Sequence, residues 1–195
     1  MAQQHPSGIL KWVYIGSGFA SALVLLINAA KRAELIPVVP ITQLVAPLAQ
    51  VFAIGLVIGI VVAARALHGL IGSIGATLYV AALAGLVGVE FVINLVFPYV
   101  ERATIDALLE GPLAVAFIVA SVTFLTGTLL FFGAFWREPG SPKIAIAIAV
   151  VSSVPIALRN MFPEVALQIG IVGLAVAVAW FAVWLLRRTA HSAAE

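Results

Sequence analysis

The sequence predicts an all-α polytopic membrane protein, a bundle of six transmembrane helices with one short amphipathic helix at the interface. The chain has 195 residues, of which 64% are hydrophobic and 9% charged, whereas soluble domains are about 45–50% apolar and about 25% charged. The few charged residues separate long apolar runs with no alternation of polar and apolar positions, which excludes a barrel. Residues 1–195 are therefore expected to form a single transmembrane domain of helices.

A helix needs about 20 residues to cross the hydrocarbon core, and six predicted segments reach that length. The predicted spans cover residues 10–30, 42–65, 69–97, 113–136, 143–162 and 165–187. Pro98 ends the third span, and Gly111-Pro112 opens the fourth, since proline suits the first helical turn. The fifth span is charge-free only up to Leu158, so we expect it to continue to Phe162 with Arg159 reaching the membrane surface.

The segment 100–110 is expected to lie on the membrane surface. Arg102, Asp106 and Glu110 follow each other at intervals of four residues, which puts them on one face of a helix. The opposite face carries apolar side chains from Val100, Ala103, Ala107 and Leu108. This pattern is typical of a short amphipathic helix at the interface, in which Arg102 and Asp106 are spaced to form an ion pair.

The distribution of cations predicts the orientation of the chain. With six spans, one side carries six cations: Lys11, Arg65, Arg137, Lys143, Arg187 and Arg188. The other side carries four cations, which are Lys31, Arg32, Arg102 and Arg159. The positive-inside rule therefore predicts a multi-pass protein of the plasma (inner) membrane with both termini in the cytoplasm.

Small residues indicate where helices approach each other closely. Gly55 and Gly59 form a G-x-x-x-G pattern in the second span, and such patterns allow close backbone contact in lipid. Packing within the bundle is the favoured interpretation, and the alternative is a homodimer, or contact with another membrane protein, through these two residues. The lipid bilayer is the partner that composition implies. A net charge of +2 without a basic patch argues against nucleic acid.

Glu90 is the candidate functional residue, because it is an ionisable group inside an apolar span. Asn94 follows one helical turn later, and Arg159 is the expected partner at similar depth. Asn160 and Gln168 extend this candidate ligand-binding or coupling site. Its functional interpretation is a proton- or cation-coupled site, or an anchor for a polar ligand group, opening outward. The favoured interpretation is structural, either an ion pair that fixes helix register or two groups that reach the headgroups.

The sequence lacks the motifs of several common enzyme and binding-site chemistries. The chain has no cysteine, and it contains no nucleotide-binding loop, no zinc-protease motif and no nucleophile elbow. His68 stands alone near a span end, so a polar anchor is favoured over a haem or metal ligand or a proton relay. No metal and no cofactor are therefore predicted, and an enzyme is disfavoured without being excluded.

The second half of the chain resembles a broad group of small bacterial integral membrane proteins classed under domains of unknown function. The resemblance covers about half the chain and lies in GPL at 111–113, TGTLLFFG at 126–133, FWR at 135–137, PIALR at 155–159 and the final helix ending at Arg187-Arg188. It implies a six-helix plasma-membrane protein and brings no catalytic residue with it.

Two main functions follow from these observations. The favoured one is a structural or accessory membrane component, because the loops are short and no site motif is present. The alternative is a small-molecule or lipid-binding protein or transporter that uses an outward-facing polar site around Glu90 and Arg159. The halves 12–97 and 113–186 show no convincing similarity, which weakens the case for a transporter built from inverted repeats. A lipid-directed enzyme is the third choice.

Overall fold

The computed structural model describes residues 8–191, which form helices joined by short connections, with no strand in this range. The helices are α1 (Gly8–Arg32), α2 (Pro40–Val45), α3 (Leu48–Ala63), α4 (Leu70–Phe91), α5 (Arg102–Leu109), α6 (Pro112–Phe135), α7 (Lys143–Ala157) and α8 (Glu164–His191). Five helical segments are long and apolar enough to cross a membrane: Ile9–Arg32, Pro40–Ala63, Leu70–Tyr99, Pro112–Phe135 and Glu164–Arg188. The predicted all-α membrane bundle is confirmed.

The predicted fifth span is longer than the helix that forms. α7 has 15 residues and ends at Ala157, so it is about 22 Å long, against a hydrocarbon core of about 30 Å. The expected continuation to Phe162 is wrong, because residues 158–162 form a turn. Pro163 disfavours helical geometry in Phe162, the residue before it, and Pro155, two residues before the end of α7, has no backbone N–H to donate within the helix. α7 is therefore the short member of the bundle.

Close helix contacts are made through small residues. A Cβ atom added at Gly55 would lie 2.7 Å from Ser17 Oγ of α1, and one added at Gly59 would lie 2.6 Å from Tyr14 Cβ. Both glycines of the G-x-x-x-G pattern therefore face α1 of the same chain, as the favoured interpretation expected. The alternative, a homodimer or another membrane protein in contact with these two residues, stays a prediction.

An aromatic core fills the end of the bundle opposite Glu90. Tyr79 stacks on Phe131, with ring centroids 5.2 Å apart, and Phe132 stacks on Phe181 at 5.3 Å. Large aromatic rings contribute much of the packing energy where helices meet. This packing holds α4, α6 and α8 together at the end of the bundle opposite Glu90.

A buried carboxylate fastens the loop between α6 and α7. Glu138 accepts hydrogen bonds from Arg188, at 2.5 Å, and from the backbone N–H of Ala66, at 2.8 Å. Trp184 Nε1 donates to the carbonyl of Gly140 at 2.8 Å. A buried charge is tolerated when it is paired and hydrogen-bonded in this way. Glu138 thus ties the α6–α7 loop to α8 and to the connection between α3 and α4.

The segment predicted as a short amphipathic helix forms α5, and its position at a membrane interface stays a prediction. Arg102 Nε and Asp106 Oδ1 lie 3.2 Å apart on its exposed face, and Ile105 is buried beneath it. The i,i+4 spacing of Arg102 and Asp106 therefore correctly indicated an amphipathic helix.

Candidate functional site

A cavity of about 90 Å³ lies inside the bundle, at the end where α1 and α4 finish and α8 begins. We call this end the Glu90 end and this space the central cavity. Its walls come from α1, α3, α4, α6, α7 and α8, and most of them are apolar. The polar residues that line it are Ser21, Asn28, Arg32, Gln50, Tyr79, Glu90, Ser121 and Arg159. The cavity therefore brings together polar groups that lie far apart in the sequence.

Glu90 and Arg159 line the same cavity but do not form an ion pair. Within residues 8–191, the Arg159 guanidinium makes neither a hydrogen bond nor a salt bridge, although it interacts electrostatically with Glu90 and Glu164. The expected direct partnership of Glu90 with Arg159 is thus not formed. A half-buried cation faces the cavity with its hydrogen-bond donors unused by protein groups.

The direct partner of Glu90 is Asn94. Asn94 Nδ2 donates to the Glu90 carboxylate at 2.8 Å and to the Glu90 carbonyl at 2.9 Å, and Asn94 Oδ1 accepts from Lys31 Nζ at 2.5 Å. A π-helical segment, Val92–Val96, interrupts the end of α4 at this position, and such turns often accompany functional sites. Asn94 is buried and lies between the carboxylate and the ammonium group.

Lys31 was missing from the predicted site. It lies next to Arg32 at the end of an apolar run, where sequence alone favours a lysine that reaches the membrane surface. In the structure its Nζ turns inward, donating to Asn94 and, at 3.4 Å, to the carbonyl of Thr42. Nothing in the sequence distinguishes Lys31 from a lysine at the membrane surface.

Gln168 and Asn160 belong to the surroundings of the cavity. Gln168 Nε2 donates to the carbonyl of Arg32 at 3.2 Å, and Arg32 Nη1 forms a salt bridge with Glu164 Oε1 at 3.0 Å. These contacts fix the end of α1 against the start of α8. Asn160 is exposed in the turn after α7, where it lines a separate, larger space and not the central cavity. Of the five predicted site residues, Glu90 and Arg159 line the central cavity.

Two buried oxygens in the cavity wall lack a hydrogen-bond donor from the described residues. They are Asn28 Oδ1 and Gln50 Oε1, and the amide nitrogen of Asn28 is already used, donating to the carbonyl of Ala46 at 3.1 Å. An unsatisfied buried acceptor costs about 1–3 kcal/mol. Asn28 and Gln50 thus hold unused acceptors inside the cavity wall, whereas the Arg159 guanidinium offers donors to a polar guest.

A second space, which we call the lateral groove, opens between α6 and the turn that follows α7. Its volume is about 560 Å³, and its apolar lining includes Ile93, Phe97, Ile118, Val122, Leu125 and Met161. Phe117, Ser121 and Arg159 line both the lateral groove and the central cavity. The two spaces thus meet at Arg159.

The site has binding groups but no recognisable catalytic set. Among the described residues, no group of three or more His, Cys, Asp or Glu side chains is arranged to hold a metal ion. His68 Nε2 lies 2.9 Å from the carbonyl of Val61, away from the cavity. The arrangement provides one carboxylate and one unpaired guanidinium, which suit the binding of a polar group.

Comparison with known proteins adds no family to this description: no protein-family model matches the chain, and neither the curated proteins nor the solved structures include a significant match. The resemblance of the second half to small bacterial membrane proteins therefore stays a prediction. The functional argument rests on the site itself.

Proposed function

We propose that the chain is an integral membrane protein that binds a small-molecule or lipid ligand in the central cavity, through Glu90 and Arg159. The observation that carries this proposal is the Arg159 guanidinium, which lines the cavity without a carboxylate in contact. A charge removed from water is costly unless it is paired. A ligand with complementary charge or polarity supplies that pairing.

The same geometry weakens the structural interpretation of Glu90 and Arg159. A pair that fixes helix register requires direct contact, and the direct contacts of Glu90 are with Asn94. The acceptors Asn28 Oδ1 and Gln50 Oε1 also lie buried within the wall of this space without protein donors. A structural or accessory role for the whole chain stays a prediction, and ligand binding is the function that these contacts support best.

The orientation is part of the proposal. The excess of cations at the end opposite Glu90 favours a plasma-membrane protein with both termini in the cytoplasm. The central cavity then lies in the outer half of the membrane, where a binding protein or transporter takes up ligands from the external side.

Native mass spectrometry of the gently extracted protein tests this function. We expect wild-type protein to retain a bound molecule, and R159Q to lose most of it because the guanidinium is removed. Glu90→Gln tests the second cavity charge in the same way. Arg102→Gln is the matched control, since Arg102 is an exposed cation on α5 outside the cavity. Absence of a retained molecule in the wild type, or equal retention in R159Q and wild type, contradicts the proposal.

A further inference from the structure

The lateral groove is suited to a hydrocarbon chain. Val122 and Ile118 on α6 are 59% and 61% exposed, and Met161 in the turn after α7 is 78% exposed. These side chains are apolar and belong to a groove beside a membrane-spanning helix, so the groove opens towards lipid. Its volume of about 560 Å³ falls within the range of ligand pockets, about 300–1,000 Å³.

The early end of α7 creates this opening. A helix that continued from Ala157 to Phe162 would stand beside α6 at the level of the groove, whereas the chain turns there instead. The turn brings Arg159 to the inner end of the groove and leaves Leu158 and Met161 at its side. An apolar path from the bilayer therefore leads directly to a cation.

The charges around Arg159 favour an anion. The cationic groups here are Lys31, Arg32 and Arg159, and the acidic groups that interact with them are Glu90 and Glu164. Three cations against two carboxylates leave one positive charge in excess. Arg32 is paired with Glu164, and Lys31 is bound to Asn94 beside Glu90, so the excess resides on Arg159.

The central cavity has room for a headgroup but not for a chain. Its volume is about 90 Å³, and a single water requires roughly 10–15 Å³ by this kind of measure. A guanidinium binds phosphate or carboxylate through two parallel hydrogen bonds.

From these observations we infer that the ligand is an amphiphile with an anionic phosphate or carboxylate headgroup. The headgroup binds Arg159 where the two spaces meet, and the hydrocarbon chain lies in the lateral groove. This inference rests on the proposed function and adds the chemical class of the ligand and its route, which is lateral from the bilayer.

Lipid titration followed by native mass spectrometry tests the inference. The probes are dioleoyl phosphatidic acid and oleic acid, compared with dioleoyl phosphatidylcholine, inorganic phosphate and acetate. We expect phosphatidic acid or oleic acid to bind in preference to phosphatidylcholine, and R159Q to weaken that binding about tenfold, as loss of a charge-assisted hydrogen bond predicts. Arg102→Gln should bind as the wild type does.

A paired substitution on α6 tests the groove separately from the charge. Val122→Trp places a large ring in the groove and should weaken binding of the anionic lipids severalfold. Val119→Trp is the matched control, because Val119 is 57% exposed on the same helix and does not line the groove. Thermal unfolding of each variant establishes that the bundle remains folded.

The outcomes separate the two proposals. If phosphate or acetate binds in an Arg159-dependent manner while Val122→Trp has no effect, the inference of an amphiphilic ligand is wrong. Ligand binding in the central cavity then still stands. Equal binding of phosphatidylcholine and phosphatidic acid also overturns the anionic headgroup. If no probe depends on Arg159 and no retained molecule depends on it, both proposals fail.

Discussion

At the scale of single residues, the Glu90 end is organised by one amide. Asn94 is the group that contacts both Glu90 and Lys31, donating to the first and accepting from the second. An amide suits this position because it carries a donor and an acceptor on one planar group. Neither charged group would be held in its present place by an apolar side chain at residue 94.

Replacing Asn94 should therefore destabilise the protein. In N94A the Glu90 carboxylate loses a donor and Lys31 loses its shorter hydrogen bond, which we expect to lower the free energy of unfolding by about 1–3 kcal/mol. Thermal unfolding in detergent measures this effect. Asn160→Ala is the control, because Asn160 is exposed at the same end, and equal melting temperatures for the two variants would contradict the bridging role of Asn94.

The sequence located the site better than it located the partners. Glu90 is recognisable because a carboxylate in an apolar run is rare. Lys31 and Asn28 are not, because a polar residue within a turn of a span end equally well reaches the surface or the interior. Which of these occurs depends on the rotation of α1 against α3, and that rotation is set by packing. The predicted pairing of Arg159 with Glu90 failed because Arg159 lies in the turn after α7 and not in a helix, so helical spacing did not determine where its side chain points.

At the scale of helices, contact distance is controlled by glycine. A Cβ atom added at Gly75 of α4 would lie 2.7 Å from the backbone of Leu130 and Phe131 in α6. Backbone atoms cannot move away as the end of a flexible side chain can. An added methyl group at Gly75 therefore forces the two helices apart.

A pair of alanine substitutions in α4 tests this packing. Gly75→Ala should lower the free energy of unfolding by about 1–3 kcal/mol, the usual cost of overpacking. Gly88→Ala is the matched control, because nothing lies within 4 Å of a Cβ atom at Gly88 and alanine favours the helix. Chemical or thermal unfolding of both variants measures the difference. A Gly75→Ala protein as stable as Gly88→Ala would show that α4 and α6 are not in close contact.

Helix positions were largely predictable, and helix ends were less so. Proline and glycine marked the beginning of α6, since Gly111 precedes it and Pro112 opens it. The end of α7 was misjudged because a requirement for membrane-spanning length was given more weight than the two prolines on either side of that end, Pro155 and Pro163. The central cavity itself was beyond prediction, since it depends on six helices together.

At the scale of the whole molecule, the two ends differ in chemistry. The Glu90 end contains the central cavity with its partly paired charges, whereas the opposite end is closed by aromatic packing and by the Glu138–Arg188 salt bridge. A ligand that reaches the cavity therefore does so from the Glu90 end or through the lateral groove.

The proposed orientation rests on the excess of cations at the end opposite Glu90. It is testable because the chain has no cysteine. We expect a membrane-impermeant maleimide on intact cells to label Glu101→Cys, at the Glu90 end, because the positive-inside rule puts that end outside. Gly69→Cys, exposed at the opposite end, should be labelled only after the cells are opened. The reverse pattern would contradict the orientation, and labelling of both variants on intact cells would contradict a bundle whose ends lie on opposite sides.

The short α7 also has a consequence for the surrounding bilayer. A helix of 15 residues stands beside α6 and α8, which are 24 and 28 residues long, so the hydrophobic width of the protein is not uniform around its circumference. Lipids at the narrow side must compress to match it, at a cost of fractions of a kcal/mol for each ångström of mismatch. Shorter-chain lipids meet that demand more easily. We therefore expect shorter-chain lipids to gather along the α7 edge and the bilayer to be thinner there.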